Sequence, residues 1–339
     1  MSTQGAQRTT LVITSIADST NKALRDYARL TAEHGFGFVV AGDEKSPANF
    51  HIEGCDFLSI EQQKRTGFAL AEILPVRHYA RKNIAYLVAM KSGSEVIVET
   101  DDDNFPRPDF WLPRPAKIKS RLYENCGWLN AYSLFTKAMI WPRGFDLEHI
   151  RSNNSEKFQE GEWYCPIQQG LADENPDVDA IYRMTCELPL TFDESGPIAI
   201  GSGAWCPFNS QNTTWLKEAF MLMYLPSYCS FRMTDIWRSF VAQRICWENG
   251  MRVLFHKATV WQERNAHNFL TDFKDEIPGY INNGVIAERL EALQLRRGLD
   301  NIGSNLLACY QVFIDLNLMS DKEIPLIEAW IEDVLSVIK

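Results

Sequence analysis

The segment Glu95 to Thr100, EVIVET, runs without a break into Asp101-Asp102-Asp103. A β-branched run of this kind reads as a buried strand. Three adjacent carboxylates at its end repel one another and raise one another's pKa unless water or a metal ion takes up the charge. The chain must therefore bury the strand while opening its carboxyl end. That is the layout of an open α/β sheet, in which ligands lie outside the carboxyl ends of the strands. A divalent cation relieves the crowding, and hard oxygen donors suit Mg2+ or Mn2+. The plainer reading of the triplet is an acidic turn in which Asp102 or Asp103 caps a following helix.

The amino-terminal half fits that layout. Thr10 to Ile16, TLVITSI, predicts a buried strand closed by Ala17-Asp18-Ser19, and a helix follows from Asn21 to Glu33 until Gly35 stops it. Phe36 to Ala41, FGFVVA, is a second strand ending at Gly42-Asp43, which completes a β-α-β opening. A helical pattern spans Glu61 to Leu74 before the Pro75 break, and a helix from Ala80 to Ser92 leads into the acidic strand. This order brings Thr14, Ser15, Asp43 and Asp101 to Asp103 toward one crevice. Phe105 to Gly203, rich in Pro and Trp, predicts loops and short strands laid over the sheet. Trp215 to Asn249 reads as helical, Met251 to Val260 as a strand, and Asn283 to Lys339 as three amphipathic helices. The expected division is an α/β unit at 8–275 that carries this crevice and a helical appendage at 276–339.

With 34 Lys+Arg against 44 Asp+Glu the chain carries a net charge of -10, so no summed positive field draws in a nucleic acid. A small anion is still admissible, because a bound metal inverts the local field. The start of the chain lacks the apolar core of a secretory signal, and no apolar run reaches the length of a membrane span, which predicts a cytoplasmic protein without a transmembrane segment. The eight cysteines show no CxxC or CxxH spacing and are expected to be reduced and mostly buried.

Other candidates are weaker. Arg81 and Lys82 open the helix that begins at Tyr79-Ala80, where free backbone N–H groups and two cations favour an anion such as a diphosphate, or else form a solvated helix start. Asp43 and Lys45 follow the second strand, where a carboxylate can accept from a base or ribose, or simply close a turn. Asp235 stands at a helix start as a general base for an acceptor hydroxyl or as an N-cap. His256 and His267 follow the late strand, and each offers one metal ligand or else is a structural or surface-exposed histidine. HExxH, GxSxG and a phosphate loop are all missing.

The stretch YARKNIAYLVAMKSGSEVIVETDDDNFP, 79–106, resembles the GT-A glycosyltransferases, in which an Arg/Asn-bearing helix leads to a strand ending in a DxD metal motif. With VVAGDEKSP (39–47), Trp141 to Phe145, QQGLADENPDVDAIYR (168–183), PFNSQNTTW (207–215) and MTDIWRSFVAQRICWENG (233–250), the chain is similar to the STELLO-type glycosyltransferase-like family. More distantly it resembles the plant reversibly glycosylated polypeptides, which act as UDP-arabinopyranose mutases. The resemblance covers residues 10–275 and stops short of the helical tail.

It implies a GT-A fold, with a mixed, mostly parallel central sheet flanked by helices, and a metal-dependent transferase using a nucleotide diphosphate sugar, a UDP-sugar first among the donors. It further implies Asp101 and Asp103 as ligands to Mn2+ or Mg2+ and Asp102 beside the sugar or a metal-bound water. Thr14, Ser15, Asp43, Lys45, Arg81, Lys82 and Asn83 would hold the nucleotide. The acceptor is open, a glycan among the choices, and a homo-oligomer is allowed. Arg143 stands where an arginine of the plant proteins takes up the sugar, which keeps a nucleotide-sugar mutase open beside the transferase; diphosphate binding is the other role open to it. A non-catalytic sugar-nucleotide scaffold is the third reading. The late Trp-His pair of those proteins appears here as Trp261-Gln262, so the third metal ligand passes to Gln262, His256 or His267.

Overall fold

The computed structural model describes residues 7–152, 157–263 and 268–338. The chain opens with β1 (Thr9–Thr14), α1 (Lys22–His34) and β2 (Gly37–Ala41), the two strands being parallel with Leu11 beside Phe38. Asn21 caps α1 by accepting from the Leu24 N–H at 2.9 Å. Gly35 closes it at φ 73°, a left-handed conformation that glycine adopts without a Cβ clash. β3 (Asp56–Leu58) adds the outer edge. The helix expected over Glu61 to Leu74 is instead two short ones, α2 (Ile60–Lys64) and α3 (Ala69–Ile73), because the chain turns between them at Gly67, φ 80°. α4 (Lys82–Lys91) then delivers β4 (Val96–Thr100), which is parallel to β1 and buried at every position.

The middle segment is woven into the sheet. It supplies β5 (Asn104–Pro106), β6 (Lys117–Tyr123), β7 (Gly127–Trp128), β8 (Gln159–Tyr164), β9 (Ile167–Asp173), α5 (Ala180–Thr185) and β10 (Ile198–Ile200). β11 (Ala204–Trp205), which pairs with β7, and β12 (Asn212–Leu216) follow. α6 (Thr234–Glu248), β13 (Val253–Gln262), α7 (Phe269–Glu291), α8 (Ile302–Asp315) and α9 (Glu323–Val337) complete the chain. The main sheet has the order β3-β2-β1-β4-β12-β9-β13-β10-β6-β8, with β5 on β13. β1, β2, β3, β4, β8, β9 and β13 share one direction, against β5, β6, β10 and β12. The expected mixed sheet, mostly of one direction and flanked by helices, is therefore present. Trp215 lies on a strand rather than in the expected helix, since β12 pairs antiparallel with β4 on one side and β9 on the other.

The three tail helices are stitched to the body. α7 begins at Phe269 and so runs across the expected boundary at 275/276. Ile286, Leu290, Leu306, Phe313, Ile327 and Trp330 enter the same core as Ile84, Tyr86 and Phe240. Asp333 of α9 accepts from the N–H groups of Ala69 and Leu70 at 3.0 and 2.8 Å, capping α3 from a distant part of the chain. Buried Glu323 accepts from the Tyr224 hydroxyl and from the Ser227 and Tyr228 N–H groups. All eight cysteines are free thiols, of which Cys165, Cys206, Cys246 and Cys309 are buried. Among the described residues no helix is long and apolar enough to cross a membrane.

Candidate functional site

The carboxyl ends of β1, β4 and β13 and the start of α6 surround a cleft of about 320 Å3. Its floor is the turn between β4 and β5, and backbone anchors fix that turn. The Thr100 hydroxyl donates to the Gln211 carbonyl at 2.7 Å, buried Asn104 donates to the same carbonyl at 3.1 Å, and Asn21 donates to the Asp102 carbonyl at 3.1 Å. Asp101, Asp102 and Asp103 thereby all line the cleft, together with Thr14 at the end of β1.

The three carboxylates have different surroundings. Asp101 receives Lys82 Nζ at 3.4 Å, while that buried ammonium also donates to the Thr100 carbonyl at 3.1 Å. The Asp101 side chain is 39% exposed toward the cleft, yet the walls remove most of the water that would stabilise its charge. Desolvation outweighs the attraction of Lys82, and with repulsion from Asp103 lifts Asp101 to about 7. Asp102 accepts from the Ser15 hydroxyl, and its pKa is raised by burial in spite of that bond. Asp103 accepts from Gln262 Nε2 at 3.0 Å, and its carbonyl accepts from the Glu263 N–H at 3.1 Å. Gln262, at the end of β13, thus stands beside the triplet.

His256 does not reach the triplet. It lies six positions back along β13, roughly 20 Å at the rise of a strand, and its Nδ1 is 3.0 Å from the Lys257 carbonyl. Burial pushes its pKa down to about 3. His267 falls outside the described residues. Among the described residues no three His, Cys, Asp or Glu side chains form a ready metal cage. The cleft offers Asp101 and Asp103 as carboxylate donors and Gln262 as an amide.

The opposite wall is built around Arg143. Its Nε and Nη2 donate to the two oxygens of Asp177, both at 2.8 Å, and its Nη1 and Nη2 donate to those of Asp235 at 3.1 and 3.0 Å. Burial alone would lower the Arg143 pKa, but the two carboxylates outweigh it and raise the value well above the ordinary range. Burial would raise Asp235, but Arg143 outweighs it and holds the carboxyl well below the ordinary range. Asp235 also accepts from the Tyr79 hydroxyl at 3.2 Å and the Ser210 N–H at 3.1 Å.

Several expected nucleotide contacts lie elsewhere. Arg81 is fully buried and donates to Gln63 Oε1 at 2.7 Å and to the Leu74 carbonyl at 2.9 Å. Asn83 is fully buried and exchanges hydrogen bonds of 2.8 and 2.9 Å with the backbone of Leu225. Both hold the fold together behind the cleft instead of facing it. Asp43 accepts from the N–H groups of Arg77 and His78, both at 2.8 Å, and borders a separate hollow with Ser46 and Phe57. Lys45 is exposed beside it.

Asp177, Arg183, Ser210, Gln211 and Phe231 line the cleft without having been singled out from the sequence. The first four sit in the segments 168–183 and 207–215 that carry the family resemblance, which was the available signal. Arg183 on α5 donates to the Pro176 carbonyl at 2.8 Å.

The family model of the STELLO glycosyltransferases matches residues 232–338, and so takes in the tail helices that the resemblance read in the sequence did not reach. Two Arabidopsis thaliana proteins, probable glycosyltransferases STELLO2 and STELLO1, are each 26% identical to the chain over 96% of its length and 44% of their own. The chain thus spans less than half the length of these curated relatives. Among solved structures, glucosyl-3-phosphoglycerate synthase from Mycobacterium tuberculosis in complex with phosphoglyceric acid aligns over 83% of this chain and 81% of its own, at 11% identity and a TM-score of 0.43. The mannosyltransferase PcManGT from Pyrobaculum calidifontis in complex with GDP-Man and Mn2+ aligns over 98% and 88%, at 10% identity and a TM-score of 0.41. Both structural likenesses are distant.

Proposed function

Because the chain is related to the STELLO glycosyltransferases along nearly its whole length, we propose that it transfers a sugar from a nucleotide diphosphate donor bound in the cleft through a divalent cation on Asp101 and Asp103. The observation that carries this reading is the charge of the cleft. Asp101, Asp102, Asp103, Asp177 and Asp235 all line it. Against these five carboxylates stand, among the described residues, three lining guanidiniums: Arg143 is taken up by Asp177 and Asp235, Arg232 pairs with Glu276 at 2.8 Å, and Arg183 donates to the Pro176 carbonyl at 2.8 Å. A diphosphate brought to this floor alone meets net repulsion, and a divalent ion held by Asp101 and Asp103 would reverse its sign.

The donor set fits Mn2+ or Mg2+, hard cations that take carboxylate oxygens and leave positions for phosphate. Asp101 and Asp103 would hold the ion, with the Gln262 amide beside them in the place of the plant proteins' histidine. When bound, such an ion offsets charge on the departing diphosphate. The chain's own groups do the rest. Lys82 fixes Asp101 from behind, Ser15 fixes Asp102, and Arg183 adds a guanidinium to the wall. Asp235 has little proton affinity, so its proposed role is to hold Arg143 and the Ser210 N–H in place and not to act as the base. Arg143, kept charged between two carboxylates, has no lone pair to offer a sugar, which favours transfer over the mutase reading. In the transfer the acceptor hydroxyl oxygen bonds the anomeric carbon, the bond to the diphosphate breaks with its electron pair on the leaving group, and the hydroxyl proton goes to the diphosphate or water.

Calorimetry with UDP and Mn2+, and then GDP and Mn2+, tests the site. Asp101→Asn and Asp103→Asn are each expected to weaken metal-dependent nucleotide binding by about tenfold or more, roughly 1.4 kcal/mol at the least. Wild-type affinity in both variants would place the site elsewhere.

A further inference from the structure

We infer that the open groove next to the cleft, lined by Trp261, seats a neutral carbohydrate acceptor. This rests on the transferase reading above and adds to it the place and chemical class of the second substrate. The groove, about 740 Å3, is lined by the polar side chains of Arg107, Glu174, Asn175, Gln262 and Glu263 together with Trp261 and an apolar Leu188-Pro189 pair. Gln262 belongs to both the groove and the cleft, so an occupant of one lies directly beside an occupant of the other.

Trp261 is braced from behind. Its ring stacks on Phe105 with centroids 4.5 Å apart and planes 18° apart, and Lys22 lies 4.9 Å from the centroid of the Phe105 ring. A partly exposed indole held rigidly in a groove offers a flat apolar face at low entropic cost, which suits the C–H face of a sugar ring. Around it stand the planar polar groups that hydroxyls need. The Asn175 amide is oriented by donation to the Gln262 carbonyl at 3.1 Å, Arg107 is fixed by Asp173 at 2.6 Å, and Glu174 and Glu263 add carboxylates. Glu174 is held at φ 69°, uncommon for a residue with a side chain, by a two-way backbone bridge to Leu190 of 2.8 and 3.1 Å. Strain of that kind gathers at binding sites.

Charge sets the class of ligand. Among the described residues, the one guanidinium lining the groove is bridged to Asp173, and two further carboxylates stand beside it. A phosphorylated or acidic acceptor would be repelled, whereas a neutral glycan would find both donors and acceptors.

Saturation-transfer NMR on the full chain, with short neutral gluco-, manno- and galacto-oligosaccharides as probes, tests the groove independently of the donor. At least one probe is expected to bind. Trp261→Ala should weaken that binding by roughly tenfold, Trp261→Phe by less than about threefold, and Glu263→Ala, a change at an exposed side chain, by about threefold. Binding of Mn2+ with UDP or GDP should stay within about twofold of wild type in all three variants. Oligosaccharide binding untouched by both alanine changes overturns the inference. So does the lack of any oligosaccharide binding in a protein that binds the metal and nucleotide. Trp261-dependent binding in a protein that takes no nucleotide keeps the groove and defeats the donor reading instead.

Discussion

Arg143 is gripped along both edges, by Asp177 on one and Asp235 on the other, with Asp235 in turn held by Tyr79 and Ser210. A lysine there keeps the charge but cannot span two carboxylates with a planar fork. Arg143→Lys is therefore expected to lose about 2 to 4 kcal/mol of stability, read from the denaturant midpoint, because one buried carboxylate is left without its partner. A midpoint equal to wild type would mean that the clamp does not stabilise the fold. At this scale the acidic triplet was legible, since three carboxylates at the end of an apolar strand are a conflict that folding must resolve. The roles of Arg81 and Asn83 were not. A cation at a helix start looks the same in sequence whether it meets a phosphate or, as Arg81 does, a glutamine and a backbone carbonyl. Asp177 was hidden for the opposite reason: it lies in a loop with no periodicity to give it a direction.

Among the elements, α9 tests how far the tail is an appendage. Its Trp330 ring is buried with Nε1 donating to the Met221 carbonyl at 2.9 Å, and its Asp333 caps α3. Ending the chain before Lys322 would strip Leu326, Ile327, Trp330 and Val334 from the core and leave the first turn of α3 uncapped. The shortened chain is expected to be insoluble, or to lose its near-ultraviolet circular dichroism, whereas Asp333→Ala alone should cost about 1 kcal/mol. A truncated protein melting like the full one would make the tail an independent unit. The β-α-β opening and the acidic strand could be read because each carries its own turn chemistry in Gly35, Gly42 and the triplet. The tail's 3.6-residue period announced helices but not their partner, since an apolar stripe does not say which surface covers it. Trp215 and Leu216, the end of β12, were lost to a helix reading because the strand is buried on both faces, which removes the alternation that marks a strand.

Across the whole molecule, stability should depend on a few carboxyl groups that folding drives toward the neutral form. Asp179 is the clearest outside the cleft, where Asp101 and Asp102 are raised as well. It is 0% exposed, accepts from the Tyr182 N–H at 2.8 Å and from Trp141 Nε1 at 2.6 Å, and is lifted by burial to about 6 even though these bonds pull the other way. Its folded pKa lies above the unfolded value near 3.9, so its contribution is greatest below about pH 4 and is lost as the pH rises through 6. The loss is on the order of 3 kcal/mol. Glu323 and Asp333, also raised by burial, add in the same direction. Asp235, held low by Arg143, loses its stabilising effect only in stronger acid, below the range where the others act. Asp179 joins the Trp141 segment to α5, whose Ala180 N–H donates to Glu276 of α7 at 2.7 Å, so strain at this carboxylate reaches several elements at once. The wild-type denaturant midpoint is accordingly expected to be higher at pH 5 than at pH 7.5. Asp179→Asn, which gives up one acceptor, should start lower but change less between those two values. Parallel pH profiles for the two proteins would mean that the source lies in other groups.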